Sequence, residues 1–182
     1  MKNLFFTALA VLFLCSNLNA QAESYTDFEW DIIRFGYVMP SGVDGVSSGF
    51  SMGSEPRYNL KDNISVGVRW EIALYGAADD LGSNFDLGAA GSVALIGDYY
   101  FNTESSKRAF AGFGIGSFSG ASLEVNGETV GDAGSAIGII PRVGYEFGHL
   151  RLSAEYNLAF DDAVPNYLGI NLGITLFGGY DG

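Results

Sequence analysis

The chain has 182 residues, 48% hydrophobic and 14% aromatic, with 26 Gly, 14 Phe and 10 Tyr against only 4 Pro. Its net charge of −12 argues against a nucleic-acid partner, because binding phosphates takes clustered Lys and Arg. The length suits one domain, and beyond the N-terminus no apolar run reaches the ~20 residues of a transmembrane helix.

Residues 1–20 read as a cleavable signal peptide. Lys2 supplies the positive charge, Leu4 to Cys15 is the apolar core, and Leu18-Asn19-Ala20 ends in a small residue suited to cleavage. Cutting after Ala22 is the alternative. Phe13-Leu14 stands before Cys15 where a lipoprotein would carry small residues, so Cys15 leaves with the signal and the mature chain has no cysteine. Residues 21–28 are acidic and polar and read as a short periplasmic leader. Residues 29–182 form the folded domain.

The first strand is placed at about Glu29–Met39, with Ile33, Phe35 and Tyr37 opposed to Arg34 and Gly36. Breakers at Pro40-Ser41-Gly42 and Asp44-Gly45 make a loop. The second strand, Ser47–Leu60, sets Phe50, Met52 and Tyr58 against Gly49, Ser51, Gly53, Glu55 and Arg57. Pro56 falls inside it, and a local irregularity is expected there. Lys61-Asp62-Asn63 turns tightly into the third strand.

That third stretch, Ile64–Tyr75, is the most regular. Ile64, Val66, Val68, Trp70, Ile72 and Leu74 share one parity; Ser65, Gly67, Arg69, Glu71, Ala73 and Tyr75 share the other. A period of two is a strand with two different faces, long enough to cross a bilayer, which takes only about 9–11 tilted residues.

A polar connection, Gly76–Asp86, leads to the fourth strand, Leu87–Phe101, where Val93, Leu95, Tyr99 and Phe101 oppose Ser92, Asp98 and Tyr100. Asn102–Lys107 turns into the fifth, Arg108–Phe118, with Ala111, Phe113 and Ile115 opposed to Gly112, Gly114 and Gly116. Ser119–Gly134 is the longest loop. The sixth strand, Ser135–Phe147, sets Ile137, Ile139, Val143, Tyr145 and Phe147 against Gly138, Arg142, Gly144 and Glu146. Gly148-His149 is a very short turn. The seventh, Leu150–Phe160, alternates Leu150, Leu152, Ala154, Tyr156, Leu158 and Phe160 with Arg151, Ser153, Glu155 and Asn157. After Asp161–Asn166, the eighth, Tyr167–Phe177, opposes Leu168, Ile170, Leu172, Ile174 and Leu176 to Gly169, Asn171, Gly173 and Thr175.

Eight strands joined by alternately long and short connections predict an all-β fold, an eight-stranded antiparallel up-and-down transmembrane β-barrel. A secreted barrel with an apolar interior has the same periodicity, and three features decide between them. The polar faces carry Arg34, Arg57, Arg69, Arg142 and Arg151 with Glu55, Glu71, Asp98, Glu146 and Glu155, but no Lys. Balanced charge with Arg as its only cation suits a confined luminal network of bidentate ion pairs. Aromatics gather at strand ends: Trp30, Tyr58, Tyr99, Phe101 and Phe147 towards the short turns, Tyr37, Phe50 and Phe160 towards the long loops. Such belts mark the two membrane interfaces; Trp70 falls mid-strand. The long loops hold Asp44, Asp79, Asp80, Asp86, Glu124, Glu128, Asp132, Asp161 and Asp162 without Lys or Arg, whereas Lys61, Lys107 and Arg108 lie in or beside short turns.

Gly97-Asp98-Tyr99-Tyr100-Phe101, Pro141-Arg142-Val143-Gly144-Tyr145-Glu146 and Ser153-Ala154-Glu155-Tyr156-Asn157, in this strand order, resemble the outer-membrane β-barrel domain family, small barrels similar to the OmpA transmembrane domain, OmpX and OmpW. The resemblance spans the mature chain. It implies a location in a Gram-negative outer membrane, with lipids, lipopolysaccharide and the barrel-assembly machinery as partners. The chain departs from that pattern in two ways: no peptidoglycan-binding domain follows the barrel, and Phe177 is followed by Gly178-Gly179-Tyr180-Asp181-Gly182 rather than closing the chain.

The expected function is a structural or surface-interaction barrel with a largely filled lumen and acidic extracellular loops. The alternative is a narrow channel for ions or small solutes. The acidic loops lack EF-hand spacing, so no dedicated metal site is expected, only diffuse bridging of divalent cations to lipid headgroups. No cofactor is expected. Catalysis is not expected either, since the single His149 falls in a short turn with no nucleophile motif around it.

Overall fold

The alternation that runs through the chain is realised as strand after strand. A computed structural model describes residues 25–41, 46–78, 85–121, 123–125, 128–130, 134–161 and 164–178. The signal peptide, residues 21–24, Asp44, Asp79, Asp80, Asp132 and Asp162 lie outside these residues. The strands are β1 (Phe28–Ser41), β2 (Val46–Lys61), β3 (Ile64–Ala78), β4 (Phe85–Phe101), β5 (Lys107–Ala121), β6 (Leu123–Val125), β7 (Glu128–Val130), β8 (Ser135–Phe147), β9 (Leu150–Ala159) and β10 (Asn166–Leu176). Eight of them close into one barrel in the order β1-β10-β9-β8-β5-β4-β3-β2, every pair antiparallel. The chain is an up-and-down transmembrane β-barrel whose apolar side faces out. On β3, Trp70 is 45% exposed whereas the adjacent Arg69 is 0% exposed.

The long loop between β5 and β8 carries structure that simple alternation does not reveal. There β6 and β7 pair as a small separate hairpin, Leu123 opposite Val130 and Val125 opposite Glu128. The dipeptide between these strands is Asn126-Gly127, the usual signature of a two-residue hairpin connection.

Pro56 does not carry the expected irregularity. It pairs with Trp30 in a ladder that continues through Arg57 and Glu29. The break falls instead on the neighbouring strand, where Asp31 faces Glu55 but Arg34 faces Gly53. Ile32 and Ile33 together oppose Ser54, which is a bulge. One extra residue reverses the parity of everything before it, so Glu29 and Asp31 point inward although they share the odd numbering of Ile33.

Close approach of the strands explains the small residues of β5. A methyl group on Gly116 would sit 2.2 Å from the Val93 carbonyl oxygen and 2.5 Å from the Ala94 Cα, both backbone atoms of β4. Gly116→Ala is therefore expected to push β4 and β5 apart at about 1–3 kcal/mol. Urea unfolding of the refolded barrel measures it, and an unchanged midpoint would contradict the packing. At the other end of the molecule, Gly148 takes a φ of 63°, which glycine adopts without the penalty of a Cβ, and this makes the two-residue turn between β8 and β9 possible.

Two apolar clusters occupy part of the interior. Val38, Ala73, Tyr75, Ala90 and Tyr167 form one; Ala94, Ile96, Phe118, Ile140, Ala159 and Val164 form the other. They lie mostly towards the long-loop end, which leaves the rest of the barrel to charge.

Candidate functional site

The polar positions of the strands converge on the barrel axis. Among the described residues, the buried charged side chains are Arg34, Arg57, Arg69, Arg108, Arg142 and Arg151 with Glu29, Asp31, Glu55, Glu71, Asp98, Glu146 and Glu155. All ten charges expected in the lumen are there. Three more were not expected there: Glu29, Asp31 and Arg108. Arg108 shares the parity of Gly112, Gly114 and Gly116, so alternation alone could have found it; its position next to a turn concealed it. Glu29 and Asp31 are concealed by the bulge.

Arg142 is the most tightly held. Its guanidinium donates to both Glu55 oxygens at 2.6 and 2.7 Å and to both Asp98 oxygens at 2.5 and 2.8 Å. Paired charge-assisted bonds of this kind are the strong ones. Arg34 bridges Glu55, at 3.1 Å, to Glu155. Arg69 donates to Glu155 at 2.5 Å, to Ser92 Oγ at 2.8 Å and to Asn157 Oδ1 at 2.5 Å. Arg57 reaches Asp31 at 2.5 Å and Glu29 at 3.1 Å. Arg151 donates to Asp98 at 2.5 Å, to Tyr100 Oη at 2.8 Å and to Glu146. Glu55, Asp98 and Glu155 are thus each shared between strands that are far apart in sequence. The lattice ties the barrel wall together across its interior.

Arg108 closes the short-turn end. Its guanidinium lies between the Tyr25 and Tyr100 rings, 3.7 and 3.6 Å from their centroids, and bonds Glu146 at 2.6 Å and Glu29 at 3.1 Å. Such stacking adds cation–π attraction to the ion pairs. Tyr25 donates its hydroxyl to the Ser105 carbonyl. Asn59 holds the neighbouring backbone, its side-chain amide on the Thr26 carbonyl and its backbone N–H on that of Asp27, each at 2.7 Å. Residues 25–28 of the expected leader therefore lie against the barrel mouth, with Phe28 opening β1.

The exterior positions follow the strand faces. Tyr37, Phe50, Tyr58, Tyr99, Phe101, Phe147 and Phe160 are exposed. Tyr37 meets Phe50 edge to face with ring centroids 6.0 Å apart, and Tyr99 meets Phe101 at 5.1 Å. Trp30 is half-buried and donates its indole N–H to Ser54 Oγ at 2.7 Å, beside the bulge. Of the acidic positions, Asp86 lies in β4, Glu124 in β6 and Glu128 in β7, and Asp161 is exposed beyond β9. His149 is also exposed, with Nδ1 3.2 Å from the Thr175 carbonyl oxygen. Among the described residues no group of three or more His, Cys, Asp and Glu is arranged to hold a metal ion.

No protein-family model matches the chain, and no curated protein matches it in sequence. Solved structures do match its shape. Neisserial surface protein A (NspA) is 15% identical with a TM-score of 0.63, over 85% of this chain and 99% of its own. The outer membrane protein OprG from Pseudomonas aeruginosa is 13% identical with a TM-score of 0.57, over 86% of this chain and 96% of its own. The fold is that of the small eight-stranded outer-membrane β-barrels.

Proposed function

We propose that this barrel of outer-membrane type is a structural or surface-interaction protein of a Gram-negative outer membrane, with a lumen filled rather than conducting. The observation that carries this reading is the buried lattice of Arg, Asp and Glu side chains. An eight-stranded barrel has an interior only wide enough for side chains to fill. Here that space holds the ion pairs together with Tyr75, Tyr100, Phe110, Phe118 and Tyr167, all buried. The work of such a protein falls to its loops and its lipid-facing wall. The long acidic loops, whose sequence contains no Lys or Arg, meet lipopolysaccharide, with divalent cations bridging carboxylates to headgroup phosphates, or a partner outside the cell. The name of Neisserial surface protein A fits this reading. Signal-directed export and delivery by the barrel-assembly machinery belong to it too, and catalysis does not.

The second reading is a narrow channel for ions or small solutes. Conductance of the refolded barrel in a planar bilayer separates the two. A silent bilayer, with folding verified by a heat-dependent shift in gel mobility, is the expected result. Discrete openings that change with Glu71→Gln would overturn the filled-lumen reading.

A further inference from the structure

The luminal charges do not balance. Six buried arginines face seven buried carboxylates among the described residues, which leaves one negative charge over. The surplus can be assigned to a residue. Glu29, Asp31, Glu55, Asp98, Glu146 and Glu155 each lie within 4.0 Å of two or more arginines. Glu71 has only Arg69, at 3.9 Å, and Arg69 is already bonded to Glu155 at 2.5 Å.

The surroundings of Glu71 are polar but incompletely satisfied. Its Oε1 accepts the Tyr167 hydroxyl at 2.8 Å. Its Oε2 is buried without a hydrogen-bond partner, and so are Arg69 Nε and Asn157 Nδ2 nearby. Asn157 pairs with Tyr167 across β9 and β10 and accepts from Arg69 at 2.5 Å. Ser92, opposite Glu71 on β4, accepts from the same guanidinium at 2.8 Å. A buried carboxylate without a compensating charge is strongly destabilising. A site with this deficit draws in positive charge.

We propose that Glu71 Oε2, with the Tyr167 hydroxyl on its sister oxygen and Ser92 opposite it on β4, takes up one exchangeable alkali cation. Single charge is required by the count: one unit neutralises the lumen, whereas a divalent ion would reverse its sign. The charged and titratable groups beside Glu71 are Arg69 on the same strand, its partner Glu155 on β9, and Tyr167 on β10. This site lies beyond the structural role proposed above and does not depend on it.

The test uses the full mature chain refolded in detergent micelles. The thermal midpoint of its gel-mobility shift is compared in sodium, potassium and choline chloride at equal ionic strength, for wild type and Glu71→Gln. An alkali ion predicts a midpoint that rises saturably with sodium or potassium over choline, as mass action requires, and no such rise in Glu71→Gln. Gln keeps an acceptor for Tyr167, so the variant retains that bond. Two outcomes overturn the proposal: a wild-type midpoint that does not depend on the cation, or an identical cation dependence in wild type and variant. The wild-type measurements stand even if the variant fails to refold.

Discussion

Replacing Arg142 with Met is expected to lower the stability of the refolded barrel by about 3–5 kcal/mol, the usual consequence of removing one partner of a buried ion pair. Arg142 holds Glu55 and Asp98 through four hydrogen bonds between 2.5 and 2.8 Å. Methionine fills part of the volume but leaves both acids short of donors. The loss is bounded because neither acid is wholly abandoned: Glu55 keeps Arg34 at 3.1 Å, and Asp98 keeps Arg151 at 2.5 Å. Urea titration followed by gel mobility and β-sheet circular dichroism measures the effect. A midpoint equal to wild type would mean that water reaches these side chains and the lumen is not packed.

The second large effect lies on the outside. Leu95 is 65% exposed, and its ladder neighbours are Val68 on β3 and Ile115 on β5, midway along the wall. In a membrane that exposure is to hydrocarbon. Leu95→Arg is expected to cost about 2–4 kcal/mol in lipid vesicles, the figure for a cation at the bilayer midplane. Ser119→Arg, close to the long-loop end of β5, is expected to cost only ~0–1 kcal/mol, as near an interface. Equal effects of the two substitutions would place the apolar band elsewhere than in a bilayer. A water-facing barrel would tolerate both.

The wall of this protein is legible in its sequence because lipid imposes a one-sided rule. In β3, β9 and β10 every outward residue must be apolar or small, and the period of two stands out. The interior obeys no such local rule. Arg34 meets Glu155 across 121 residues and Arg142 meets Glu55 across 87, pairings set by strand tilt and stagger that alternation does not encode. The bulge at Ile32 and Ile33 reverses parity without any breaker residue, so Glu29 and Asp31 share the odd numbering of the outward-facing Ile33, Phe35 and Tyr37. With those two acids and Arg108 missing from the count, the lumen looks balanced at five against five. The excess on Glu71 becomes visible only once the residues that the bulge and the turn conceal are placed. The β6–β7 hairpin was available from Asn126-Gly127, but a long loop rich in Gly and acids masks it.

The barrel is closed by its two ends, β1 pairing with β10 from Trp30 opposite Leu176 to Ser41 opposite Asn166. The first strand to emerge during synthesis therefore waits for the last. Until β10 arrives, every partial assembly is an open sheet with two bare edges, each a template for pairing with another chain, and with its lipid-facing side still in water. Joining ends so distant in sequence also costs loop-closure entropy before any contact repays it, which makes closure a slow step. A chain interrupted before β10 would accordingly be no smaller barrel but an aggregation-prone sheet.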